Sequence, residues 1–311
     1  MKIVFLDRKT LGDDITLNQF KQYGDIETFE STSKEQTISR VSNATIVVTN
    51  KVVIDKDVID NTDIKLICVA ATGMNNIDLE YAAQKGIVVK NVAGYSTSSV
   101  TQLTFSLALN FIQKVNYYDN YVKDGNWQRS DIFTNLDKPF YELDGKKWGI
   151  IGLGTIGHSV ANVASAFGCE VIYYSTSGKN NNTQYKQKDL EELLKTSDIV
   201  SIHCALNKST KDLLNKANLS LLKDGAILLN LGRGGIVNEQ DISDILNSSK
   251  DIFFGTDVVT KEPIESNSPL LQVKNRDKIA FTPHIAWASK EARERLLNGI
   301  ENNIKDFFSN L

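Results

Sequence analysis

Apolar residues fall along this chain in short, unbroken runs separated by stretches with helical spacing. The runs are Lys2–Leu6, Ala44–Thr49, Lys65–Ala70, Ile87–Val89, Lys147–Ile151, Glu170–Tyr174, Ile199–Ile202, Ala226–Asn230, Ile252–Gly255 and Lys278–Thr282. Most are rich in β-branched residues, which suits strands buried on both faces of a parallel sheet. The stretches between them have the length of crossover helices, so the pattern predicts an α/β fold with parallel sheets. Val100, Leu103, Leu107, Phe111, Val115, Tyr118 and Val122 recur at every third or fourth position. They predict one long helix that ends near Gly125, with Ala108 and Ile112 widening its buried face. A second helix closes the chain. Ser289 is its expected N-cap and Glu291 lies in its first turn. Ala292, Leu296, Ile300, Ile304, Phe307 and Leu311 share one of its faces. The polar run Gly178–Thr183 reads as an exposed loop.

Composition narrows the field. A length of 311 residues fits about two domains. With 41% hydrophobic and 23% charged residues the chain is globular. The net charge of −3, from 35 basic and 38 acidic residues, gives no support for nucleic-acid or anionic-membrane partners. Every apolar run is shorter than a bilayer span, and the N-terminal one is too short for a secretory signal, so a cytoplasmic location is expected. Cys68, Cys169 and Cys204 stand alone in or beside apolar runs and are expected to be buried, reduced thiols. Their spacing fits neither a disulfide framework nor a metal site.

Gly152-Leu-Gly154-Thr155-Ile156-Gly157 follows the run 147–151 directly, and Ile156, Val160, Val163, Ala164 and Phe167 then repeat at helical spacing. Strand, glycine turn and helix are together the setting of a dinucleotide fingerprint. The first glycine allows the tight turn, the second lets a pyrophosphate approach, and the third lets helix and strand pack closely. The helix N-terminus supplies N–H groups and positive potential for the phosphates. The next run ends Tyr174-Ser175-Thr176-Ser177-Gly178-Lys179. An acidic residue is expected where Ser175 stands, to bond the ribose 2′-hydroxyl and repel a 2′-phosphate. Serine can bond a ribose hydroxyl, and the hydroxyls with Lys179 could hold a phosphate, so the sequence leaves NAD(H) and NADP(H) open.

The three histidines differ in setting. His158 lies in the first turn after the fingerprint and reads as a packing residue. His203 ends a buried run and reads as structural or as a cofactor contact. His284 follows the last run and is preceded by Pro283, which restricts the backbone there. Arg233 follows the run 226–231 between Gly232 and Gly234, and Glu262 follows the run 252–255. In a parallel sheet all strand C-termini share one edge, so Arg233, Glu262 and His284 are expected beside the glycine turn. A histidine suits proton transfer near neutral pH, and a carboxylate beside an imidazole orients it and favours its charged form. An arginine fork binds a carboxylate and polarises an adjacent carbonyl. Beside a nicotinamide, this set reads as 2-oxo acid reduction.

At this point the residues resemble a family, the D-isomer-specific 2-hydroxyacid dehydrogenases. The likeness spans the chain through Gly152–Gly157, Asn230–Val237, Gly255–Pro263 and Thr282–Ala286. It implies that Arg233 binds the substrate, that Glu262 pairs with the acid/base His284, and that Asp257 contacts the nicotinamide carboxamide. It further implies cofactor contacts at Gly152, Gly154, Thr155, Ile156, Gly157, Ser175, Thr176, Cys204, Ala205 and Thr210, and substrate contacts at Ala71, Thr72, Gly73 and Trp287. A Rossmann domain at 99–287 would be inserted in a flavodoxin-like substrate domain made of 1–98 and 288–311. The 121–142 segment, with Trp127, resembles the family's dimerisation arm, which implies a homodimer. Gln102 and Ala205 depart from residues common in the family, and Ser175 puts strict NAD use in question. Trp287 resembles the glycerate dehydrogenase (hydroxypyruvate reductase) branch. Reduction of pyruvate or branched 2-oxo acids is the alternative activity, and a dinucleotide sensor without turnover is the alternative class.

Overall fold

The computed structural model describes residues 1–180 and 182–310. Asn181 of the expected loop and Leu311 of the expected helix face lie outside them. The chain divides into two compact units, Met1–Ser96 with Trp287–Leu311, and Thr97–Ala286. Both are α/β with parallel sheets. Among the described residues no helix is long and apolar enough to cross a membrane.

The first unit holds β1 (Lys2–Phe5), β2 (Asp25–Thr28), β3 (Ile46–Thr49), β4 (Leu66–Val69) and β5 (Val88–Lys90) in the parallel order β2-β1-β3-β4-β5. β3 and β4 are buried at every position, as runs covered on both faces should be. One face packs under the closing helix Lys290–Ser309 through Ala292, Leu296, Leu297, Ile300 and Ile304. The Ser289 hydroxyl caps that helix by accepting from Ala292 N. Arg293 fastens it to the sheet side with a two-pronged ion pair to Asp14, at 2.5 and 2.9 Å.

The second unit holds β6 (Lys147–Ile151), β7 (Glu170–Tyr174), β8 (Lys186–Gln187), β9 (Ile199–Ile202), β10 (Ala226–Asn230), β11 (Ile252–Thr256) and β12 (Ile279–Phe281). Their order is β12-β11-β10-β9-β6-β7-β8, parallel throughout. The chain builds outward from β6 in one direction, then returns to β9 and builds in the other. The reversal between β6 and β9 is a topological switch point, where α/β sheets bind ligands beyond their strand C-termini. Trp148 is fully buried in this sheet and donates its indole N–H to Ser201 Oγ at 2.9 Å.

Two expectations need correction. The helix expected from Val100 to Gly125 is two helices, Thr97–Gln113 and Val115–Lys123, divided at Lys114 with φ +51°. The first half is buried through Val100, Leu107, Ala108, Phe111 and Ile112, whereas no residue of the second is buried. Apolar spacing continues through the break, so the sequence carries no sign of it. β2 and β8 were not expected, because both are edge strands of mainly polar residues.

His203 sits one residue beyond β9 and donates its backbone N–H to Ile151 O at 2.9 Å. The residue is partly buried, yet both ring nitrogens are inaccessible and have no partner among the described residues. Burial pushes this imidazole down from 6.5 to about 3. Between those values the unfolded chain takes up a proton that the folded chain refuses. The stabilising contribution of a neutral His203 is therefore full above pH 6.5 and is lost as the pH falls toward 3. Thermal melts at pH 7.5 and 5.5 are expected to show a smaller drop for His203→Gln than for the native chain. An equal drop would contradict the assignment. The three cysteines are buried, and burial pushes Cys68 up to about 12 and Cys169 and Cys204 up to about 11.

Candidate active site

The glycine turn leaves β6 and enters the helix Thr155–Ala166. A Cβ on Gly157 would lie 2.3 Å from Gly152 O, so helix and strand approach as only glycine allows. A Cβ on Gly154 would meet nothing within 4 Å, which leaves the turn open for a ligand. The helix starts at Thr155, and His158 N makes its first bond, to Gly154 O. The N–H groups of Thr155, Ile156 and Gly157 thus have no carbonyl of a preceding turn to bond, as in a phosphate site. These features fit a dinucleotide. Cys204 packs its backbone against Gly152, with its N 2.8 Å from where a Cβ would be. Ala205 is exposed beside it. Thr210 is fully buried; its hydroxyl donates to Ala205 O at 2.7 Å and accepts from Asn207 N, so it shapes this loop from within.

Along the same sheet edge, the segments after β10, β11 and β12 carry Arg233, Glu262 and His284. Arg233 follows β10. Asn230 holds the turn that presents it, accepting from Gly232 N at 3.2 Å and donating to Arg233 O at 2.9 Å. A Cβ on Gly234 would fall 2.0 Å from Val259 O, so this turn also presses against the loop after β11. Arg233 is exposed, and one of its guanidinium donors bonds Gly232 O.

Glu262 and His284 meet. The β11–β12 register, Thr256 opposite Phe281, sets their two loops side by side. His284 Nδ1 donates to Glu262 Oε2 at 2.6 Å, and Glu262 Oε1 accepts from Val259 N at 3.2 Å. The carboxylate is therefore tied to its own loop while it orients the imidazole, which leaves His284 Nε2 for proton transfer. The pair is partly buried, with the side chains 22% and 35% exposed.

His284 has φ +55°, a backbone state that non-glycine residues enter at a cost. Asp257 supplies the compensation, a role the sequence did not disclose. Its backbone oxygen accepts from His284 N at 2.8 Å. Its buried carboxylate accepts from Thr282 Oγ1 at 2.6 Å, Ile285 N at 2.8 Å and Ala286 N at 2.9 Å. Burial pushes this carboxyl up, against the pull of those donors and of His284. Asp257→Ala would leave buried donors unpaired, at about 1–3 kcal/mol for each group. The variant is expected to melt several degrees lower and to lose turnover even where it stays folded. Native-like melting and turnover would contradict the clamp.

In the first unit, Ala71, Thr72 and Gly73 follow β4. Val92 N donates to Ala71 O at 3.2 Å and Asn91 Nδ2 to Thr72 O at 2.6 Å. Trp287 packs edge-on to Tyr95, ring centres 6.3 Å apart. Ser175, buried, and Thr176, partly buried, lie just beyond β7.

Residues 105–286 match the family described as D-isomer specific 2-hydroxyacid dehydrogenase, NAD binding domain. The hydroxypyruvate reductase of Blautia hydrogenotrophica is 39% identical over 99% of this chain and 97% of its own length. This chain belongs to the D-isomer-specific 2-hydroxyacid dehydrogenases. The glycerate dehydrogenase of Methylorubrum extorquens is 34% identical over 98% of this chain and 96% of its own. A solved acyclic imino acid reductase, in complex with NADPH and D-Arg, superposes with a TM-score of 0.86 at 29% identity, over 100% of this chain and 98% of that one. As a member of the family, the chain is an NAD(P)-dependent oxidoreductase of small 2-oxo and 2-hydroxy acids.

Proposed function

We propose that this dehydrogenase reduces hydroxypyruvate and glyoxylate to D-glycerate and glycolate. The observation that carries the chemistry is the His284–Glu262 pair at 2.6 Å, on the sheet edge that also bears Arg233 and the glycine turn. A reduced nicotinamide, when bound, supplies the hydride. Arg233 binds the substrate carboxylate with its planar fork and draws electron density from the neighbouring carbonyl. His284 gives the carbonyl oxygen its proton from Nε2. Glu262 holds the ring in place and stabilises its charged form. Asp257 keeps the His284 turn in its strained state. The choice of hydroxypyruvate is supported by the names of the two relatives above and by Trp287. Ala71, Thr72 and Gly73 are proposed to bind substrate through their backbone.

Relative kcat/KM decides the substrate. Hydroxypyruvate is expected to exceed pyruvate and branched 2-oxo acids by about tenfold or more, a difference of about 1.4 kcal/mol in transition-state binding. A higher value for pyruvate or a branched acid would overturn the assignment. Cofactor binding without turnover on the whole panel would favour a sensor.

We also propose a homodimer. The segment from Val115 to Tyr141 exposes several large apolar side chains, with Phe133 at 89% and Leu136 at 70%. Such a patch calls for a covering surface. Sedimentation is expected to give twice the chain mass of 34.6 kDa, and Phe133→Asp to shift the protein toward a monomer. A native protein sedimenting at the chain mass would contradict this.

A further inference from the structure

We infer that the adenosine ribose subsite of this chain is built for a 2′-phosphate, so that NADP(H) is its preferred dinucleotide. The inference rests on the dinucleotide site described above.

The turn after β7 is held where the first ribose must lie. Gly152 N donates to Tyr174 O at 3.0 Å, which pairs the ends of β6 and β7. Asn180 Nδ2 donates to Leu153 O at 2.6 Å, and Asn180 N to Ser175 Oγ at 3.4 Å. The turn is thereby tied to the glycine loop itself. Gly178 N closes it on Ser175 O at 3.3 Å, with Gly178 at φ +67°. Thr176 and Ser177 then occupy its two central positions. Lys179 follows, its N–H bonded to Ser177 Oγ at 3.2 Å. Lys179 is exposed and makes no ion pair among the described residues.

Charge points the same way. The segments that follow β6, β7 and β9 surround the adenosine half of the site. Gly152–Cys169, Val171–Lys188 and His203–Lys211 contain no aspartate or glutamate, while Lys179, Lys208 and Lys211 lie within them. A site built for NAD uses a carboxylate to accept from ribose hydroxyls and to repel a phosphate. Ser175 offers only a neutral hydroxyl for that purpose. To a phosphate, the same hydroxyls and the lysine offer charge-assisted hydrogen bonds, roughly twice as strong as neutral ones. Lysine is a point charge without the arginine fork, so the preference should be moderate, about tenfold to a hundredfold.

The test is calorimetric titration of the intact protein with NADPH and NADH, beside thermal shifts with adenosine 2′,5′-bisphosphate and AMP. NADPH should bind at least about tenfold more tightly, and its affinity should fall with added salt more steeply than that of NADH. The bisphosphate should stabilise more than AMP. Lys179→Ala, at an exposed position, should lose most of the NADPH advantage and keep NADH affinity. Ser175→Asp should reverse the preference. Equal or tighter binding of NADH by the native chain would overturn this inference and leave the dinucleotide site intact. Binding of neither cofactor would overturn that underlying reading as well.

Discussion

His284→Ala is expected to remove turnover and leave the cofactor bound. The imidazole is the group on this edge that is oriented by a carboxylate, through the 2.6 Å bond to Glu262, and presented by a strained backbone held in place by Asp257. Loss of a positioned general acid costs about two to four orders of magnitude in kcat. The glycine turn and the end of β7 lie at other strands of the sheet, so cofactor affinity should change little. Steady-state rates beside calorimetric cofactor titration check both halves. A variant within tenfold of the native kcat would remove His284 from the mechanism. Weakened cofactor binding instead would make it a structural residue.

Arg233→Ala is expected to lower kcat/KM for a 2-oxo acid by about a thousandfold, roughly 4 kcal/mol of transition-state stabilisation. In the proposed mechanism the arginine serves both the carboxylate and the carbonyl, so KM should rise and kcat should fall together. Arg233→Lys should recover only part of the loss, because an ammonium cannot span both acceptors as a planar fork does. Full recovery by lysine would show that the site needs charge alone. A native kcat/KM in the alanine variant would place the substrate elsewhere.

The strands of the second unit were readable because a parallel sheet covered on both faces demands continuous apolar runs. β6, β7, β9 and β10 fall where those runs lie. β2 was not readable: Asp25 and Glu27 are tolerated on an edge strand, where side chains meet solvent. The break at Lys114 was hidden because a single left-handed residue leaves the apolar spacing nearly unchanged. Val115 and Val122 continue the pattern yet are exposed, so their apolar character reflects something other than this chain's own core. Topology placed Glu262 and His284 on one edge, since both follow strands of a parallel sheet. Their contact depends on the β11–β12 register, which periodicity does not encode. The clamp at Asp257 lies further out of reach. A carboxylate after a strand reads as a ligand contact, and its hydrogen bonds to a turn more than twenty residues later leave no mark in the local sequence. Asn230 is similar, an amide at a strand end whose two bonds fix the arginine turn.

The central claim is hydride transfer to the carbonyl carbon of a 2-oxo acid, with the handedness of this family. The most direct measurement is product analysis after incubation of the enzyme with hydroxypyruvate and reduced nicotinamide cofactor deuterated at the transferring carbon, NADH and NADPH in parallel. The account predicts D-glycerate with deuterium at C2, formed by the native enzyme and not by His284→Ala. L-glycerate, or glycerate without deuterium at C2, would contradict it.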